Sequence, residues 1–69
     1  DPVEDNYRKA QAHARAGEGE ATAEALRAAF AAASDAESLR RRTNVDPAFD
    51  AVRAHPAVEA VLAMPARKP

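Results

Sequence analysis

The chain has 69 residues, a formal net charge of -1 at neutral pH and no cysteine, which is the size of one small domain or of a piece of a larger protein and leaves no disulfide or cysteine-based zinc site. No apolar run reaches the roughly 18 residues of a membrane span, and the acidic start lacks the basic and apolar regions of a signal peptide, so a cytoplasmic setting is expected. Hydrophobic residues make up 46% of the chain, but most are alanine, so the core must be thin.

Asp1-Pro2 reads as a helix N-cap followed by proline at the first helical position, with Glu4 near the unpaired amides. Val3, Tyr7, Ala10 and Ala14 then recur on one helical face. Glu4 with Arg8 and Asp5 with Lys9 have the spacing of supporting ion pairs. The pattern predicts a helix from about Pro2 to Ala16, stopped by Gly17, with Gly17-Glu18-Gly19 as a tight connector.

A second helix is predicted from about Glu20 to Ala33, with Ala23, Leu26, Ala29, Phe30 and Ala33 as its apolar stripe. Ser34 and Glu37 have the spacing of a capping box. They open a short third helix that carries Leu39 and ends in Arg40, Arg41 and Arg42. Asp46-Pro47 repeats the start signal, with Phe49 and Val52 on the same face as Val45. His55-Pro56 starts the last segment, which carries Val58, Val61 and Leu62 and approaches Met64 before Pro65 stops it. No stretch alternates like a strand. The chain reads as all-α, with antiparallel neighbours because the connectors are short.

Two stretches carry a resemblance to a known family. The first is "AHARAGEGEATAEALRAAF", and the second is "ESLRRRTNVDPAFDAVRAHPAVEAVL". Residues 7 to 62 resemble the terminal repeat of bacterial tetratricopeptide proteins. Ala10 and Gly17 fall where that family has a small residue and its turn glycine, Leu26 where it has an aromatic, and Ala29 where it has alanine. The ending is similar through Asp46, Pro47, Phe49, Asp50, Arg53, Pro56 and Leu62. Asn6, Lys9 and His13 stand where the family has large apolar side chains, so the Val3, Tyr7, Ala10, Ala14 stripe is the expected packing face. The resemblance implies a helix pair over about 2–33 and two or three short capping helices over about 35–64. These make one domain, 1–64, followed by a loose tail, 65–69. A repeat stack leaves an apolar end that needs covering, and the two proline-started segments would cover it. One helix pair cannot form a solenoid by itself.

Peptide-holding residues of that family lie on the first helix of a repeat. Carried over, those places fall on Glu4, Tyr7, Gln11 and Ala14, with Arg15 adjacent. Tyr7 also belongs to the apolar stripe, and Gln11 and Arg15 have the chemistry to hold an extended backbone or a carboxylate.

Catalytic and cofactor signatures are missing from the pattern. The two glycines sit at a turn, and Ser34 and Ser38 are accounted for by a cap and a helix surface. Asp46 and Asp50 are expected as a cap and a first-turn residue, where negative charge is favoured. His13 and His55 fall on different helices without a carboxylate at metal-ligand spacing, so no metal or cofactor is expected. Arg40, Arg41 and Arg42 are the densest charge. At a helix C-terminus they complement its dipole, and they are also the place for an acidic partner or a phosphate. The acidic balance and 4% aromatic content argue against broad nucleic-acid affinity.

The expected function is a non-catalytic protein-interaction or assembly module, with a protein or peptide partner or a second copy of itself. Tyr7, Gln11, Arg15 and the Arg40 to Arg42 run are its candidate contacts. The alternative is a dependent segment of a larger enzyme or regulator, followed by a nucleic-acid binder acting through the arginines.

Overall fold

The computed structural model describes residues 1–63; Met64, the Pro65 stop and the proposed 65–69 tail lie outside the described residues. Among the described residues the protein is all-α and has no strand. Its elements are α1 (Pro2–Arg15), α2 (Gly19–Ala32), α3 (Ala36–Val45), a 3-10 helix η1 (Pro47–Val52) and α4 (Pro56–Ala63). None of these helices is long and apolar enough to cross a membrane.

Helix α1 starts where Asp1 accepts the Val3 amide at 2.9 Å and Pro2 occupies the first turn, an N-terminus that needs no other partner. It stops in a Schellman turn. The Glu18 amide reaches back to the His13 carbonyl at 2.9 Å and the Gly17 amide to Ala14 at 3.0 Å. Gly17 takes φ +78°, a conformation that a side chain disfavours. The three-residue connector sends α2 back along α1, and the two form the main hairpin.

Across that hairpin lies the rest of the chain. η1 packs on α1 and α4 packs on α2, while α3 joins the two layers with few contacts of its own. The core consists of Tyr7, Ala10 and Ala14 from α1, Ala23, Leu26 and Ala29 from α2, and Leu39, Phe49, Val52, Val58 and Val61 from the later elements. Alanine on both hairpin helices lets the backbones approach. The bulky rings of Tyr7 and Phe49 fill the space beneath η1, 5.6 Å apart and edge to face. The α1 face is therefore the expected one, although Val3 is only partly buried. Phe30 of α2 and its C-cap Ala33 are also partly buried, while Gly19 and Thr22 are buried.

Several local expectations are corrected. The cap of α3 is Asp35, whose carboxylate accepts the Ser38 amide at 3.1 Å, so Ser34 lies outside the helix. Helix α3 continues three residues past Arg42 to Val45, which moves Arg40 and Arg41 away from the carbonyl end. That extension also turns Val45 outward, 80% exposed, because the chain breaks at Asp46 and restarts as η1 on a new face. Leu62 is only partly buried. Neither Glu4 with Arg8 nor Asp5 with Lys9 forms an ion pair among the described residues. Glu4 turns instead to Arg42, whose bidentate fork is the better partner.

Candidate functional site

The candidate side chains of α1 meet the start of η1 at a single carboxylate. Asp46 caps η1 by accepting the Ala48 amide on Oδ1 at 2.9 Å. Its Oδ2 accepts the Tyr7 hydroxyl at 2.7 Å and the Gln11 amide at 2.8 Å. Tyr7 and Gln11 are one helical turn apart, so α1 presents both donors side by side. Residues nearly 40 positions apart in the chain are thereby clamped.

The network sets opposite protonation preferences on its two members. Burial, followed by the hydrogen bond and charge of Asp46, pushes the Tyr7 phenol up to about 12. For Asp46, burial opposes ionisation most strongly. The Ala48 amide, the Tyr7 hydroxyl, the Gln11 amide and the field of Arg15 together outweigh it, and the carboxyl ends below its ordinary value. A protonated phenol and an ionised carboxylate are both fixed at neutral pH. The pair is a clamp, with neither group poised for proton transfer there.

Arg42 covers the other side of Tyr7. Its guanidinium carbon lies 4.2 Å from the ring centroid, a cation–π contact, and its nitrogens hold Glu4 at 2.8 and 3.3 Å. That hydrogen bond holds the Glu4 carboxyl below its usual range and raises Arg42 further. The three arginines are thus divided. Arg42 serves α1, and Arg40 grips Glu37 through two nitrogens. Arg41 is 68% exposed with only a 3.8 Å pairing to Glu37, and it is the member of the run most open to an outside partner.

Arg15, exposed at the end of α1, borders an open cleft of about 440 Å³ with Asp46, Pro47, Ala48, Asp50 and Ala51. Tyr7 has no exposed surface and Ala14 none. Of the carried-over peptide places, Tyr7 and Gln11 are therefore taken up by the chain's own Asp46, Ala14 is buried and Glu4 is paired with Arg42. Arg15 remains at the rim of the cleft.

Two residues act here without having been singled out as contacts. Arg53 donates to the Thr43 carbonyl at 3.3 Å, the Asp46 carbonyl at 2.8 Å and the Asp50 carboxylate at 3.0 Å, tying the end of α3 to η1. His55 accepts the Ala57 amide on Nδ1 at 3.1 Å, and its ring lies where any Cβ on Gly19 would stand. An arginine i+3 from Asp50 and a histidine before proline were the available signals. The other histidine does have a carboxylate partner, since Glu18 lies 2.7 Å from His13 Nδ1. Five residues across a turn is outside helical spacing. No protein-family model, curated protein or solved structure matches this chain.

Proposed function

We propose that the chain is a non-catalytic protein-interaction or assembly module, built in the manner of a tetratricopeptide end repeat. The observation that carries this reading is the layer formed by η1 and α4. It is laid over one face of the α1–α2 hairpin and fastened there by Asp46. A closing layer of that kind suits the last unit of a helical stack, whose outer face must not remain apolar. With the inner face of α1 filled, the charged rim is where a partner would be read. Arg15 sits beside the η1 cleft, and Arg41 sits on the outer side of α3. Both are guanidinium groups suited to a carboxylate.

The test is affinity capture with the folded chain, followed by titration of each captured protein against the wild-type, Arg15→Glu and Arg41→Glu chains. The expected result is saturable binding that weakens by about tenfold in at least one charge reversal. Captured proteins that bind the heat-unfolded chain equally well, or that ignore both reversals, would refute the assignment.

A further inference from the structure

We propose that this chain exchanges residues 36–63 with a second copy of itself, through conversion of the α2–α3 break into continuous helix. This concerns the chain's relation to itself and stands whether or not its rim takes another partner.

The break consists of Ala33, Ser34 and Asp35. Ala33 is extended at φ -75°, ψ 137°, and Asp35 sits at φ -130°, ψ 80°. Neither glycine nor proline occurs there, nor anywhere from Glu20 to Val45. The other two breaks in this part of the fold are enforced, one by Gly17 at positive φ and one by Pro47. This one is held by a single side-chain cap, Asp35 on the Ser38 amide. The flanking residues are mostly alanine, glutamate, leucine and arginine, which favour helix.

Helix α3 is also the element with the sparsest packing against the other helices, with Leu39 and Thr43 as its buried residues. If residues 33–35 become helical, α2 and α3 merge into one helix from Gly19 to Val45, about 40 Å long at 1.5 Å per residue. That exceeds the 32 Å longest extent of the molecule, so η1 and α4 no longer reach their own hairpin. They do reach that of a second copy. The occupant then needed on each α1–α2 face is the segment already seated there, so every contact is available between chains. These contacts include Tyr7 and Gln11 on Asp46, Glu4 on Arg42, and Tyr7 against Phe49. A reciprocal exchange closes as a two-fold dimer, and its balance against the monomer is set by the break and by the chain concentration.

Two substitutions push the break in opposite directions. Asp35→Ala removes the cap, which favours the monomer by about fivefold per chain, and so raises the dimer association constant by about 25-fold. Ala36→Pro places proline at the first position of α3, where it suits the monomer, but puts it inside the merged helix, where it disfavours the dimer by more than about a hundredfold per chain. The chains are refolded at low and high concentration and examined by light scattering after size exclusion. Dimers made from a mixture of isotope-labelled and unlabelled copies are tested for contacts between the Tyr7 and Phe49 rings across the two chains. The expected results are a wild-type dimer after concentrated refolding, more of it in Asp35→Ala, none in Ala36→Pro, and interchain Tyr7–Phe49 contacts. The proposal is overturned if wild type and Asp35→Ala both stay monomeric, if Ala36→Pro dimerises as well as wild type, or if the dimer's Tyr7–Phe49 contacts lie within one chain.

Discussion

Replacing Tyr7 by phenylalanine tests the clamp directly, since it deletes one oxygen and keeps the ring that packs on Phe49 and beneath Arg42. The lost interaction is a hydrogen bond of 2.7 Å to a carboxylate, and bonds to charged groups contribute about 1.5–3 kcal/mol. Gln11 and Ala48 continue to satisfy Asp46, which places the expected loss near the lower end, about 1.5–2 kcal/mol. A second signature appears in alkali. The folded-state phenol at about 12 stands above its ordinary 10.0, so the unfolded chain ionises first. The tyrosine's contribution is complete below pH 10.0 and is lost as pH rises through about 12, a change on the order of 2 kcal/mol. Urea unfolding followed by far-ultraviolet circular dichroism, at neutral pH and across this alkaline interval, reads both effects. Tyr7 is the single tyrosine and the chain has no tryptophan, so tyrosinate absorbance reports its ionisation without overlap. A Tyr7→Phe chain within about half a kcal/mol of wild type, or one that keeps the same alkaline loss, would refute the reasoning.

Other substitutions probe the remaining joints. Arg53→Met leaves the Thr43 and Asp46 carbonyls without their guanidinium and should lower the urea-derived stability by about 1–2 kcal/mol. A shift below the error of the midpoint would show that solvent replaces it. Gly19→Ala would ordinarily favour a helix, but its Cβ collides with the His55 ring. The expected outcome is a loss of about 1–3 kcal/mol, relieved when His55→Ala is added, and a higher melting temperature for Gly19→Ala alone would contradict the packing. In acid, the lowered Asp46 carboxyl contributes stability that is present above its ordinary 3.8 and lost as pH falls through the folded-state value. Asp46→Asn should flatten that part of the acid unfolding curve, and an unchanged curve would exclude Asp46 as its source.

Helix positions were legible because local chemistry states them. Asp1-Pro2 and Asp46-Pro47 mark two starts, Gly17 marks a stop, and Tyr7, Ala10 and Ala14 mark the buried face of α1. Ser34 and Asp35 are both good caps one residue apart, and no local rule ranks them. Val45 shares a face with Phe49 and Val52 only in a continuous helix, and the chain changes helix type at Asp46, so Val45 faces outward. Sequence spacing identified Tyr7 and Gln11 as neighbours on α1, but not Asp46 as what they hold. Arg40, Arg41 and Arg42 are adjacent in the chain, yet Arg42 takes its partner 38 positions away. Such pairings depend on how layers stack and are invisible to a reading of short windows.

The Asp46 clamp also bears on the order in which the fold assembles. The hairpin needs only neighbouring residues, whereas joining Tyr7 to Asp46 spans 39 positions and costs about 3 kcal/mol in loop-closure entropy. It should therefore form after the hairpin, and mutations at Asp46 should accelerate unfolding more than they slow refolding. On a ribosome, which releases the chain from its amino end, the ring of Tyr7 waits uncovered until position 49 has emerged.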